Sequence, residues 1–362
     1  MPFCQNKLFL AVLLVGTGSL NTLCTNWVNQ ILSKGSHGGR FTYQFLEAAT
    51  MFGGEILCLL AFKVVCLLSR NSQENVLTKG NRNFKPIILL PAAMLHLASI
   101  AVMYLGLALT YPRSLTMYRG TAVLFIGVLS TVFLHKHIQF KEWYGMVKIT
   151  LGFLTVGVTD VIFDLSKDDK GQISLLTGDM LIIISLVLSS CQMVYEEKYI
   201  SEFDIPPMQV VGWEGIFGFS MSSILFFAFY WALAVPNFGH GPNGIIGDTI
   251  DGLLQIGNNH LLLCAVLGSV ISVALFTFAG ISITKNISAT HRMVLDSFRI
   301  IVIWIVSVSV KWQEFYLLHI VGFALIVLGI CKYNGLLTCI YGSDDYDDDD
   351  DVDDDDIGDL NI

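Results

Sequence analysis

Ten apolar stretches, each close to the roughly 20 residues that carry a helix across a bilayer, leave this chain few folds to choose from. In hydrocarbon every backbone N–H and C=O has to be satisfied by the chain itself, which restricts spanning segments to helices and closed barrels. Runs this long, without the alternation of a barrel strand, predict helices. They cover Leu8–Ile31, Phe41–Leu68, Ile87–Thr110, Pro112–Leu134, Phe140–Phe163, Thr177–Tyr195, Met208–Ala234, Leu261–Thr284, Ala289–Val310 and Phe315–Asn334. The first exceeds the apolar core of a signal peptide and is read as a span. Only 14% of the residues are charged, against about 25% in soluble domains. Mean hydropathy is +0.64. The fold class expected is all-α integral membrane, with ten transmembrane helices.

The formal charge of −9 comes from one appended segment. Twelve aspartates follow Gly342, and without them 21 basic residues face 18 acidic ones, a net +3. A like-charge run such as DDYDDDDDVDDDDIGDLNI stays solvated, so 337–362 is assigned to a disordered acidic tail, available to a basic protein partner. Lys and Arg orient the spans. Lys7, Lys63, Arg70, Lys79, Arg82, Lys85, Lys136, Lys141, Lys198, Lys285 and Lys332 fall on the side of both termini. Lys34, Arg40, Arg113, Lys167, Lys170 and Lys311 fall opposite. Both termini are therefore expected in the cytosol. The eight cysteines lie in or beside apolar segments, without Cys-x-x-Cys or Cys/His ligand spacing. They read as small apolar residues, with no disulfide frame, metal site or cofactor.

An internal repeat organises the spans. GLALTYPRSLT (106–116) matches GISITKNISAT (280–290) at Gly106/Gly280, Thr110/Thr284, Ser114/Ser288 and Thr116/Thr290. Glu142-Trp143-Tyr144 then matches Glu314-Phe315-Tyr316, and Gly157 matches Gly329. Spans three to five thus echo spans eight to ten. A repeat of five spans is odd in number, so its second copy enters the membrane upside down, the inverted-repeat plan of secondary transporters. The expected organisation is a first repeat over 1–163, a connecting loop over 164–176, a second repeat over 177–336, and the tail.

The ionisable residues inside these spans carry the functional expectation. On a continuous helix, Lys285, Ser288, Arg292, Asp296 and Arg299 recur at spacings of three and four and share one face. Such a stripe in a lipid-like helix is costly and marks a solute or ion path. Arg119 occupies the matching level of the fourth span. Arginines converging in a low-dielectric cavity hold phosphate or carboxylate bidentately. The expected substrate-binding set is Arg292, Asp296, Arg299, Arg119, Glu214 and Ser288. Glu47 and Glu55 are assigned to charge balance or proton coupling. The structural alternative is a set of ion pairs that lock helices together, with Asp296 as partner to the arginines. Lys148 reads as a snorkelling lysine, Asp160 and Asp179 as edge residues, Thr177 as a helix N-cap, and His96 as a hydrogen-bonded core residue. Gly145/Gly152, Gly322/Gly329 and Gly212/Gly215/Gly218 mark close helix approaches, with a homodimer face as the alternative. No Walker A loop, Rossmann fingerprint, Gly-x-Ser-x-Gly or His-Glu-x-x-His occurs, so neither an ATP-driven pump nor an enzyme is supported.

FTFAGISITKNISATHRMVLDSFRIIVIW (276–304), SLTMYRGTAVLFIGVLS (114–130), MVYEEKY (193–199) and VGWEGIFGF (211–219) resemble solute carrier family 35, the nucleotide-sugar-transporter-like branch of the drug/metabolite transporters. The resemblance implies two inverted five-helix repeats around a cavity lined by helices 1–4 and 6–9, with helices 5 and 10 peripheral. It also implies a Golgi, lysosomal or mitochondrial membrane. The Gly-Ala-Leu-Asn-Lys motif of some sugar-nucleotide carriers is replaced here by Asn286-Ile287-Ser288-Ala289-Thr290. The expected function is alternating-access transport of a small anionic organic solute across an intracellular membrane, with a nucleotide sugar as the leading candidate. An amino-acid or peptide exporter of the same fold, and a non-transporting scaffold acting through protein partners, are the alternatives.

Overall fold

A computed structural model describes residues 2–33, 39–40, 44–68, 80–110, 112–164, 172–232, 254–310 and 316–334. Among the described residues, regular structure is helical apart from a two-residue antiparallel ladder, β1 (Leu32–Ser33) with β2 (Gly39–Arg40). The helices are α1 (Pro2–Gln30), α2 (Gln44–Leu68), α3 (Leu90–Leu109), α4 (Pro112–Leu134), α5 (Phe140–Asp164), α6 (Gln172–Phe203) and α7 (Pro207–Ala232). After them come α8 (His260–Asn286), α9 (Ala289–Asp296), α10 (Phe298–Ser309) and α11 (Leu317–Tyr333). Six of the described helices are long and apolar enough to cross a membrane.

Local chemistry places the breaks. Proline stands at the start of α4 and α7, where its missing N–H has no helical partner to lose. Asn259 caps α8 by accepting hydrogen bonds from the N–H groups of Leu261 (3.0 Å) and Leu262 (3.4 Å). Replacing Asn259 by Ala should lower stability by about 1 kcal/mol, read as a small fall in the melting temperature of the purified protein. Asp204 adopts a left-handed conformation with φ of 49° after α6, and α7 begins within three residues. Lys285 Nζ reaches that corner, pairing with Asp204 Oδ1 at 2.7 Å and donating to the Ile205 carbonyl at 3.0 Å.

The structure departs from expectation in two elements. The sixth helix runs 32 residues, from Gln172 to Phe203, so it begins inside the stretch assigned to the connecting loop and continues past Tyr195. Thr177 therefore lies within α6 and does not cap it. The ninth span is interrupted. Helix α8 ends at Asn286, Ser288 caps α9, and a turn at Ser297 separates α9 from α10. Lys285 and Ser288 consequently do not share a helix face with Arg292. The tail, and most of the loop between α7 and α8, lie outside the described residues.

Packing runs largely between the two halves of the chain. Helix α1 lies along α8, α2 along α7, α3 along α6, and α5 along α11, with α4 bridging α5 and α6. The outer face of α2 shows what solvent the surface meets: Leu57, Leu60, Val64 and Leu67, spaced at three and four, are all exposed. Its inner face buries Phe52, Glu55, Leu59 and Phe62. An apolar exterior around a core with buried charge fits a lipid surround. The largest core cluster joins Val123, Ile126, Met146, Ile149, Ile182 and Ile326 from α4, α5, α6 and α11. Glycines make the closest contacts. A Cβ on Gly152 would lie 2.7 Å from the Gly322 carbonyl oxygen, and one on Gly145 2.8 Å from that of Gly329. Gly212, Gly215 and Gly218 of α7 abut Leu59, Glu55 and Phe52 of α2.

Candidate functional site

A cavity of about 240 Å³ opens among the helices. Every helix from α1 to α4 and from α6 to α10 contributes to its lining, whereas α5 and α11 contribute none of the residues around it. Glu55, Glu214, Arg119, Arg292, Asp296 and Arg299 all face it.

Arg292, on the buried face of α9, does not share a carboxylate with Arg299. Its Nη1 meets Glu196 Oε2 of α6 at 3.2 Å, and Gln192 Nε2 donates to the other Glu196 oxygen. Gly280 of α8 leaves room for this guanidinium: a Cβ there would lie 2.6 Å from Arg292 Nε. Glu55 of α2 and Glu214 of α7 lie around the same pair, and among the described residues Glu55 Oε2 and Glu214 Oε1 are buried with no hydrogen-bond partner. His96 of α3 also lines the cavity, with Phe52 edge-on at 5.7 Å.

Arg299 forms a second, separate group. Its Nη2 donates to Asp296 Oδ2 at 3.0 Å, across the turn at Ser297, and its guanidinium lies 5.0 Å from the centre of the Phe276 ring. Arg119 of α4 lies beside Arg299 and Asp296 and makes no ion pair among the described residues. Asp296 thus pairs with Arg299 three residues on, while α6 supplies the partner of Arg292.

Ser288 stands apart from this cavity. Its Oγ accepts from the His291 N–H at 3.1 Å and contacts His291 Nδ1 at 2.8 Å, which fixes the start of α9. Helix α2 carries Glu47, whose side chain lies outside the described residues. Asp179, expected at a span edge, accepts hydrogen bonds from Thr110 Oγ1 (2.7 Å) and Tyr118 OH (3.4 Å), tying the start of α6 to α3 and α4. The residue missed from the sequence is Glu196. It follows the expected end of the sixth span at Tyr195, in a Glu-Glu-Lys run that resembles a solvated flank. Its neighbour Glu197 is also buried, and it pairs with the half-exposed Lys136 of the α4–α5 connection. The signal that could have separated them is Gln192, one helical turn before Glu196 on the same face.

The family model described as "Solute carrier family 35" matches residues 5–232. The protein named solute carrier family 35 member F6 in Homo sapiens is 37% identical over 348 residues, covering 94% of this chain and 92% of that one. The chain belongs to solute carrier family 35. Its Mus musculus relative of the same name is 37% identical over 342 residues, with 93% and 90% covered. An uncharacterized protein of Schizosaccharomyces pombe is 24% identical over 330 residues, covering 91% of this chain and 98% of that one. A crystal structure of a protein 15% identical in sequence superposes with a TM-score of 0.59, over 94% of this chain and 99% of that one. That likeness shows the fold alone. Family membership together with the apolar helices makes this a multi-pass membrane protein of a transporter family.

Proposed function

We propose that the chain is an alternating-access secondary transporter of a small organic solute with an anionic group, acting across an intracellular membrane with both termini in the cytosol. The observation that carries this reading is the cavity: buried charged side chains of both halves converge on it, and charge inside a membrane marks a path. The packing supports two inverted halves. Exchanging each of the first five spans for its counterpart turns the α1–α8 contact into α6–α3, and the α2–α8 contact into α7–α3. The α2–α7 and α5–α11 contacts map onto themselves. Rocking one half against the other would then expose the cavity alternately. Arg119 and Arg299 hold the anionic group. At about 240 Å³ the space is below the roughly 300–1,000 Å³ of pockets that take drug-sized ligands, which favours a solute smaller than a sugar nucleotide.

Uptake into proteoliposomes tests the reading, with a panel of monocarboxylates, amino acids, short peptides and nucleoside monophosphates. Arg119→Gln and Arg299→Gln should each lower uptake at least tenfold, because a charge-assisted contact contributes about 1.5–3 kcal/mol. Deleting 343–362 should leave uptake intact. A folded protein that moves nothing in the panel would overturn the transporter reading and favour a scaffold working through its tail.

A further inference from the structure

The acidic and basic side chains around the cavity divide into a carboxyl-rich pole and a guanidinium-rich pole. At one pole Glu55, Glu196 and Glu214, from α2, α6 and α7, surround the single guanidinium of Arg292. Three carboxylates face one cation, and two of them keep a buried oxygen without a partner. Both of those side chains are more than nine-tenths buried: Glu55 is 3% exposed and Glu214 5%. At the other pole Arg119 and Arg299 face the single carboxylate of Asp296. The first pole has more carboxyl groups than cations, and the second more guanidinium groups than carboxylates. A monoanion would engage only the second, and a nucleoside diphosphate would bring further negative charge and no donor for the acid-rich pole.

We infer that the solute is a zwitterion with well-separated charges, a di- or tripeptide with free termini, whose ammonium lies among Glu55, Glu196 and Glu214 and whose carboxylate lies between Arg119 and Arg299. This rests on the transporter reading above. The length follows from the ninth span. Ser297 keeps right-handed helical angles (φ −63°, ψ −25°), so the rise continues through the turn; Arg292 and Arg299 are seven residues apart, and at about 1.5 Å of rise per residue their backbones are separated by about 10 Å along the axis. An extended chain advances about 3.3–3.6 Å per residue, so two or three residues bridge the poles and a single amino acid does not. Among the described residues Asp296 Oδ1 is also buried without a hydrogen-bond partner. It offers an acceptor for a peptide N–H, a donor that a simple carboxylate lacks. The three unsatisfied oxygens are what a bound peptide would complete, since a buried acceptor left unmade is the costly state.

The test measures uptake of tritiated trialanine by full-length protein in proteoliposomes. N-acetyl-trialanine, trialanine amide and UMP are run beside it. Trialanine should be taken up at least about tenfold faster than either blocked form, because a site built around a polar group strongly rejects the analogue lacking it. Glu214→Gln should erase the preference for the free amine over the N-acetyl form, and Arg299→Gln should erase the preference for the free carboxylate over the amide. Melting curves of each variant confirm that it is folded, and Glu55→Gln repeats the amine test if Glu214→Gln does not fold. Uptake of N-acetyl-trialanine equal to or faster than that of trialanine, or uptake of UMP alone, would overturn the peptide assignment and leave the transporter reading standing. Uptake of no compound in the wider panel would remove both.

Discussion

Replacing Arg292 by Ala should produce the largest loss of stability of any single charge change in this protein. Among the described residues the guanidinium is the only cation placed between Glu55, Glu196 and Glu214, and it is 8% exposed. Removing one partner of a buried pair leaves an uncompensated charge and costs about 3–5 kcal/mol. Here the damage extends beyond the pair, because the two other carboxylates of that pole lose the same neighbour. The expected readout is a large fall in the melting temperature of the detergent-solubilised protein, together with a low yield of monodisperse material. The double variant Arg292→Ala/Glu196→Gln should recover part of that loss, since it removes the carboxylate left bare. If the double variant melts no higher than Arg292→Ala, the pairing with Glu196 is not what makes Arg292 necessary.

The second large effect should come from Gly152→Val, at a position that carries no charge. Helices α5 and α11 meet backbone to backbone here, and a Cβ on Gly152 would lie 2.6 Å from Ile326 Cγ1, 2.7 Å from the Gly322 oxygen and 2.9 Å from the Ile326 nitrogen. A flexible side chain can yield at such distances, but backbone atoms cannot. The helices must separate, and overpacking of this kind costs about 3 kcal/mol. Since α5 and α11 stand outside the cavity lining, Gly152→Val should lower thermal stability while whatever folded protein survives keeps its ligand preference. Gly16→Ala is the matched control. Nothing lies within 4 Å of a Cβ at Gly16, and alanine is favoured over glycine in a helix by about 1 kcal/mol. A melting temperature for Gly152→Val equal to that of Gly16→Ala would show that the glycine contact contributes nothing.

These two sites were unequally visible in the sequence. The seven-residue spacings of Gly145/Gly152 and Gly322/Gly329 announced close approaches, since small residues aligned on one helix face let membrane helices pack backbone to backbone. Which helices approached was not announced. Arg292 stood out as costly charge, yet the periodicity of residues 285–304 pointed to one continuous stripe. The capping geometry of Ser288 cuts Lys285 and Ser288 off from that stripe, and Arg292 pairs with Glu196 of α6 while Asp296 pairs with Arg299. Glu196 was hidden by the opposite error. A helix boundary drawn where apolar residues stop left it outside, whereas α6 continues for two further turns and Arg292, from a distant stretch of chain, pairs with the buried carboxylate.

By itself the sequence determined the class of the molecule: helices long enough to span a bilayer, their approximate limits, the prolines that open them, the glycines that let them touch, and a small set of charges that lipid could not accommodate. These are local properties, set by hydrophobic length and backbone sterics within a few turns. The tertiary structure alone decided which charge faces which, and hence that the cavity has an acidic pole and a basic one. That decision is not local, because ion pairing falls off within a few ångströms and its partners come from helices as far apart in sequence as Glu55 and Arg292.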